Sequence, residues 1–165
     1  MECKQVLDID GIQSILEEMQ DEPHMEILKD KTCLIKLAKN IHTNGFLFAS
    51  YKDDEVCGFI SGYANDIENQ TMFINLLVVK QSIGFASVKY LYELCERLVT
   101  YAEMQKMDKI RLEVARQNEK ARNFYEHIGF RYIEETEKSL FMIAETYKCK
   151  ELLEGLKLKR NGREK

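Results

Sequence analysis

Proline, paired cysteines and long apolar runs are scarce in this chain. There is one proline, Pro23, in 165 residues. It marks a single break, and no repeat or internal linker divides the sequence. The five cysteines are Cys3, Cys33, Cys57, Cys95 and Cys149. Their number is odd and none forms a C-x-x-C pair, which argues against a disulfide scaffold or a structural zinc site. Cys57 and Cys95 sit in apolar patterns and read as small core residues. No His/Cys/carboxylate set suggests a metal, and no Ser-His-Asp set can be traced. No apolar run approaches the length of a membrane span. The N-terminus lacks the basic-then-apolar build of a secretory signal, so the cytoplasm is the expected compartment. Positive charge is not in excess either: the formal net charge is -4. A protein that binds nucleic acid or an anionic membrane with its whole surface is more often basic, so neither is expected as a partner.

What the chain does have is 45% hydrophobic and 32% charged residues, enough apolar material for the core of one domain. Gln5 to Ile9 reads as a first strand. Asp8 or Asp10 would cap a helix starting near Gly11, with Ile12, Ile15, Leu16 and Met19 inward. A longer helix is expected from Met25 to His42, ended by a C-cap at Asn44-Gly45. Phe46–Tyr51 and Val56–Ala64 form a hairpin across Lys52–Glu55. Met72–Val79 is apolar on both faces, as a central strand would be. Val88, Leu91, Cys95, Leu98 and Ala102 make one buried helical stripe. Then come a strand over Lys109–Val114, a helix over Asn118–His127 stopped by Gly129, and strands over Phe130–Ile133 and Ser139–Ala144. This order describes a mixed α/β (α+β) fold, read as a single domain over 1–147. The segment 148–165 carries seven Lys or Arg against three Glu. It reads as a basic helical extension or frayed tail, the alternative being a partner contact.

Two segments carry chemistry. Gln81-Ser82-Ile83-Gly84-Phe85-Ala86 joins the central strand to a helix, where a glycine lets the backbone turn tightly and free N–H groups can cradle a pyrophosphate. Asn118 to Phe130, N-E-K-A-R-N-F-Y-E-H-I-G-F, places Tyr125 on a short helix beside a sheet edge. The first segment matches a (Gln or Arg)-x-x-Gly-x-(Gly or Ala) pattern through Gln81, Gly84 and Ala86. Together, in this order, the two resemble the signature of the acyl-CoA-dependent N-acyltransferases of the GNAT superfamily, over about Met72 to Ala144.

The resemblance implies a central, largely antiparallel sheet with a splayed parallel strand pair and helices on both faces. It implies acetyl-CoA as acyl donor, its pantetheine arm pairing with backbone near Leu77 and Val78 and its pyrophosphate held by the amides of Ile83 to Ala86. Asn118 would lie near the pantetheine or cap its own helix. Tyr125 would be the general acid that protonates the departing thiolate, since a phenol with a pKa of about 10 stays protonated near neutrality. A backbone N–H near Val78 would steady the developing oxyanion. The implied reaction is direct attack of a primary amine, from a small molecule or a peptide, on the thioester. The chain departs from the family in three ways. The link between strand and loop is short, the loop has one glycine and no proline, and Asn75 stands where relatives often carry a basic glutamate. Glu113, Glu68 or a water chain remain as routes for the proton. Lys80 either supplies a compensating charge or faces solvent. His127 is two residues from Tyr125 and so on another helix face.

Two functions therefore follow from the sequence. One is an N-acetyltransferase. The other is a non-catalytic acyl-CoA-binding or protein-interaction module on the same fold. Asp53, Asp54, Glu55, Asp66 and Glu68 cluster in sequence around two early loops and would either steer a cationic acceptor or form solvated turns. The expected assembly is a monomer or a homodimer, paired through an exposed edge at Ser139–Ala144 or through the leucines of 152–158.

Overall fold

The computed structural model describes residues 2–163. Seven strands form one sheet in the order β1-β2-β3-β4-β5-β7-β6. These are β1 Glu2–Gln5, β2 Phe46–Lys52, β3 Glu55–Asp66, β4 Thr71–Val79, β5 Lys109–Ala115, β6 Arg131–Glu135 and β7 Ser139–Glu145. All neighbours are antiparallel except β4 and β5. The helices are α1 Ile9–Glu18, α2 Lys31–Asn44, α3 Ser87–Met104, α4 Glu119–His127 and α5 Thr146–Arg163, with short 3-10 turns at Glu26–Lys29 and Gln81–Ala86.

Two apolar layers hold the sheet, as a sheet covered on both faces requires. On one face α1 and α2 pack Ile12, Leu16, Leu34 and Ile41 against Leu47, Phe59 and Val78. On the other, Leu94, Leu98, Tyr125 and Leu153 of α3, α4 and α5 pack against Phe48, Ile60, Met72 and Leu112. Helices therefore cover both faces of a largely antiparallel sheet, as expected.

Several boundaries differ from the sequence reading, each for a local reason. The first strand is Glu2–Gln5 rather than Gln5–Ile9. Asp8 is the helix cap, its carboxylate accepting the Gly11 N–H at 2.9 Å, so the chain has already turned by Leu7. The expected Met25–His42 helix is divided. Asp30 accepts the N–H groups of Thr32 and Cys33 at 2.9 and 3.1 Å and starts α2 afresh at Lys31, as capping side chains do. Gly45 follows α2 in extended backbone, not as a left-handed cap. A Cβ there would stand 2.4 Å from the Gly62 carbonyl oxygen, so close approach to β3 is what requires glycine.

β7 is not an edge strand, since it lies between β5 and β6. The free edges belong to β1 and β6. β6 is fully exposed and carries Arg131, Glu134 and Glu135, charges of the kind that discourage strand addition. The segment after Tyr147 continues as α5, with Cys149 and Leu153 each 1% exposed within the core.

Candidate active site

The site begins with a sheet defect. β4 and β5 pair in parallel only from Thr71 with Lys109 to Ile74 with Leu112. Beyond that point β4 continues to Val79 beside β3, and β5 continues to Ala115 beside β7. The two strands part, leaving one edge of each unpaired.

The parting coincides with a bulge. Ser61 faces Leu76 and Gly62 faces Ile74, so Asn75 is one residue more than β3 can match. A bulge bends its strand and shifts its alternation. Here Met72 and Ile74 enter the α3 side of the core, and after Asn75 it is Leu77 and Val79 that do so. Leu76 and Val78 turn to the α1–α2 side. The Lys80 N–H donates to the Cys57 carbonyl at 2.8 Å, so backbone groups at 80 point toward β3. Alternation then directs the N–H groups of Leu77 and Val79 into the gap and that of Val78 toward Phe59. Beside the bulge, the Ser61 hydroxyl is closed to solvent with no partner among the described residues.

Both segments singled out in the sequence leave from this parted end. From β4 the chain enters the Gln81–Ala86 turn and then α3. Gly84 has φ 72° and ψ -134°, a conformation open to glycine and few others. Nothing lies within 4 Å of where its Cβ would be, so the turn forms an open cradle. Gln81, Ser82, Gly84, Phe85 and Ala86 are exposed and Ile83 is half-buried. Phe85 is fully exposed. The first turn of α3 follows directly. Within the turn the Ile83 N–H donates to the Lys80 carbonyl at 3.3 Å and the Ser87 N–H to the Gly84 carbonyl, so the next N–H groups of α3 are the ones without an intrahelical partner. These features fit a polyanionic ligand held by backbone.

Two carboxylates intrude on the loop. Lys80 does not face the cradle or open solvent, because its Nζ lies 2.6 Å from Glu18 Oε1 on α1. The Gln81 N–H donates to Glu22 Oε2 at 3.2 Å. Nothing in the sequence pattern signals either contact, since they join residues about sixty positions apart across the sheet end.

From β5 the chain passes through Arg116 and Gln117 into α4. The Asn118 side-chain oxygen accepts the Ala121 N–H at 3.3 Å and caps the helix. Tyr125 lies on the inward side of α4, 8% exposed, within the cluster that includes Val114 in the parted section of β5. Its ring packs edge-on against Phe130 at 5.5 Å and tilted against Phe124 at 5.7 Å. Burial, with the neighbouring Cys95 thiol, pushes the phenol well above the ordinary tyrosine range.

The profile of the Acetyltransferase (GNAT) family matches residues 9–130, about three quarters of the chain. The chain belongs to this family. No curated protein matches the sequence. Among solved structures, the chain is similar to the aminoglycoside 6'-acetyltransferase type Ii, at 15% identity and a TM-score of 0.74, covering 88% of this chain and 97% of that one. It is also similar to a PaiA N-acetyltransferase from Thermoplasma acidophilum in complex with coenzyme A, at 16% identity and a TM-score of 0.68, covering 88% and 99%. A spermidine N-acetyltransferase chimera from Vibrio cholerae and hSSAT gives 17% and 0.69, covering 90% and 98%. At such identities the likeness establishes the fold.

Within this GNAT fold the other candidate groups separate clearly. Glu113 is exposed on β5, one residue past the last parallel pair. Glu68 sits in the β3–β4 turn at the opposite end of β4 and is too remote to take a proton at the gap. The acidic residues around two loops do not form one cluster. Asp53, Asp54 and Glu55 lie at the parted end, because the start of β3 faces Val79, whereas Asp66 and Glu68 lie at the other. The length of β4, about 25 Å, separates them. Two surface hollows lie away from the gap. One, about 340 Å³, is lined by Glu2, Lys4, Tyr51, Asp53 and Asp54, and the other, about 190 Å³, lies between α3 and α5. Neither is lined by residues of β4 or β5. Among the described residues, no helix is long and apolar enough to cross a membrane, and no group of three or more metal-binding side chains is assembled.

Proposed function

We propose that this chain is an N-acetyltransferase that moves an acetyl group from acetyl-CoA to a primary amine. The observation that carries the reading is the parted β4–β5 pair, with the Gly84 cradle leaving one strand and the Tyr125 helix leaving the other. Acetyl-CoA supplies the thioester. The turn from Ile83 to Ala86 binds its pyrophosphate through the amides not already taken, the Ile83 N–H being given to the Lys80 carbonyl, with Gln81 and Ser82 at the loop entrance. The gap-facing N–H groups of Leu77 and Val79 are the donors available to the pantetheine and the thioester carbonyl, and Val78 shapes the wall behind them. Asn118 contributes by fixing the start of α4.

In this reading the amine nitrogen attacks the carbonyl carbon and the C–S bond breaks. Tyr125 gives its proton to the leaving sulfur. The ammonium proton leaves through water or Glu113, and the phenol is restored from solvent. Burial keeps Tyr125 protonated, as a general acid requires. The aminoglycoside and spermidine for which two of the similar enzymes are named are polycationic amines, and Asp53, Asp54 and Glu55 at the parted end would favour a cation.

Release of CoA thiol from acetyl-CoA across a panel of polyamines, amino sugars, peptides and amino acids tests this. Tyr125→Phe should lower kcat by about 10²-fold or more while leaving CoA affinity within a few-fold. Undiminished turnover in that variant removes Tyr125 from the acid role. A second reading is favoured by Asn75 and by the Glu22 carboxylate on the loop: a binding module without catalysis. Calorimetric binding of acetyl-CoA with no turnover of any amine would select it.

A further inference from the structure

We propose that Arg160 on α5 is a positioning residue for Tyr125, acting through Tyr92 and Phe124. The inference rests on the acid role given to Tyr125 above. α5 lies beyond residue 130, where the family match ends. It runs antiparallel along α3. Lys150 meets Glu103 at 3.0 Å, Lys157 meets Glu96 at 3.8 Å and Arg160 meets Glu96 at 3.1 Å. Numbers rise on α5 as they fall on α3, so the basic end of α5 lies against the half of α3 nearer the Gly84 cradle.

At that end α5 reaches an aromatic series. The Arg160 guanidinium carbon sits 4.4 Å from the Tyr92 ring centroid, within cation–π range. Tyr92 packs edge-on to Phe124 at 5.7 Å and 67°. Phe124 leans on Tyr125 at 5.7 Å, and Tyr125 is edge-on to Phe130 at 5.5 Å. Glu96 stands one turn beyond Tyr92 on the same side of α3 and anchors the guanidinium over that ring. The Nε of Arg160 is closed to solvent with no acceptor among the described residues. The placement of the group is thus carried by Glu96 and the Tyr92 face.

The consequence falls on α4. A helix of 9 residues has little intrinsic stability and depends on its packing. Its inward ring Phe124 is braced by Tyr92 on one side and Tyr125 on the other. Proton donation is sensitive to displacements well under 1 Å in the donor. Loosening Tyr92 therefore lets α4 and its phenol wander. The Arg160 guanidinium is held by Glu96 and Tyr92 of α3, not by residues of the Gln81–Ala86 loop, so donor binding should be spared.

The test is a mutant cycle on turnover, at a temperature well below the melting points of all variants. Arg160→Ala should lower kcat about three- to tenfold with KM for acetyl-CoA within twofold. Arg160→Lys, which keeps the cation and loses the planar fork, should recover part of the loss. In a Tyr125→Phe background Arg160→Ala should cost little further, because the hydroxyl it positions is gone. The same fold loss in both backgrounds overturns the proposal, as does a lowered melting temperature with unchanged kcat. If Arg160→Ala does not fold, Arg160→Lys is compared across the same two backgrounds with the same criteria. Wild-type protein that turns over no amine overturns the transferase reading together with this one. Wild-type turnover with an Arg160-insensitive rate overturns this one alone.

Discussion

Replacing Leu153 by alanine tests whether α5 is part of the domain or an appendage. The side chain is 1% exposed and belongs to the same apolar cluster as Leu98, Leu112 and Tyr125. A buried Leu→Ala change costs roughly 2–5 kcal/mol, and the spread reflects how much cavity remains. Leu153 also borders the hollow of about 190 Å³ between α3 and α5, beside Val99 and Thr100. That opening lets water and side chains fill part of the vacated space, so the lower half of the range applies, about 2–3.5 kcal/mol. For a chain of this length each kcal/mol shifts the melting temperature by about 2–4 °C, which gives a fall of about 4–14 °C. Leu158, on the same helix but 73% exposed, is the internal control. Its alanine variant should stay within about 0.5 kcal/mol of wild type. Thermal and urea unfolding of the two variants give the comparison, with an unchanged urea slope as the check on two-state behaviour. Equal effects of the two changes would refute the packing of α5. Truncation at Tyr147 would therefore not be a clean probe of assembly. It would remove Cys149 and Leu153 from the core together, so the exposed Leu152 and Leu158 are the positions to alter.

Two further outcomes follow from the site. Glu22→Gln removes a negative charge from the Gln81 amide and should tighten CoA binding about three- to tenfold, the effect of a unit charge near a solvent-exposed anion site. The gain should shrink at high salt and be absent for a phosphate-free pantetheine thioester, and equal affinity for CoA in both proteins would remove Glu22 from the loop's electrostatics. The pKa of Tyr125 is raised by burial, so its acid form persists to higher pH than a free phenol's. The profile of kcat should therefore show no alkaline fall from this group below about pH 10, and a fall near pH 8–9 that disappears in Tyr125→Phe would contradict the burial argument.

What the sequence disclosed follows from how local each signal is. The Gly84 turn and the Asn118–Phe130 helix are continuous stretches with their own punctuation, and both appear where their patterns indicated. α3 was legible as a helix, but its expected stripe holds only from Cys95 through Leu98 to Ala102. Val88 is 49% exposed and Leu91 half-buried, while Tyr90, Tyr92 and Leu94 are buried instead. β1 was not legible, since Glu2-Cys3-Lys4-Gln5 has no apolar alternation and is placed by backbone pairing to β2, with Cys3 as its one side chain against the core. The Asp30 cap was hidden inside an apolar spacing that ran through it unbroken. The bulge at Asn75 left no trace, because the strand is apolar on both sides of it. A shift of phase changes nothing visible in Leu76-Leu77-Val78-Val79, although it decides which amides face the gap.

The long-range charges were least legible of all. Asp53, Asp54, Glu55, Asp66 and Glu68 fall within sixteen positions of one another, and sequence proximity made them one group. β3 takes up most of that interval and carries the two sets to opposite ends of the sheet. Field strength at the gap follows the folded separation. About 25 Å is some three times the screening length of about 8 Å at physiological ionic strength, so Asp66 and Glu68 contribute almost nothing there. Glu18 and Glu22, which no spacing rule tied to residue 80 or 81, stand within hydrogen-bonding distance of the loop. The same fold that removes two carboxylates from the site supplies two others. If the Gly84 loop holds the donor as proposed, the carboxylates nearest to it come from the N-terminal helix and the turn after it, on the face of the sheet opposite the helix that carries Tyr125.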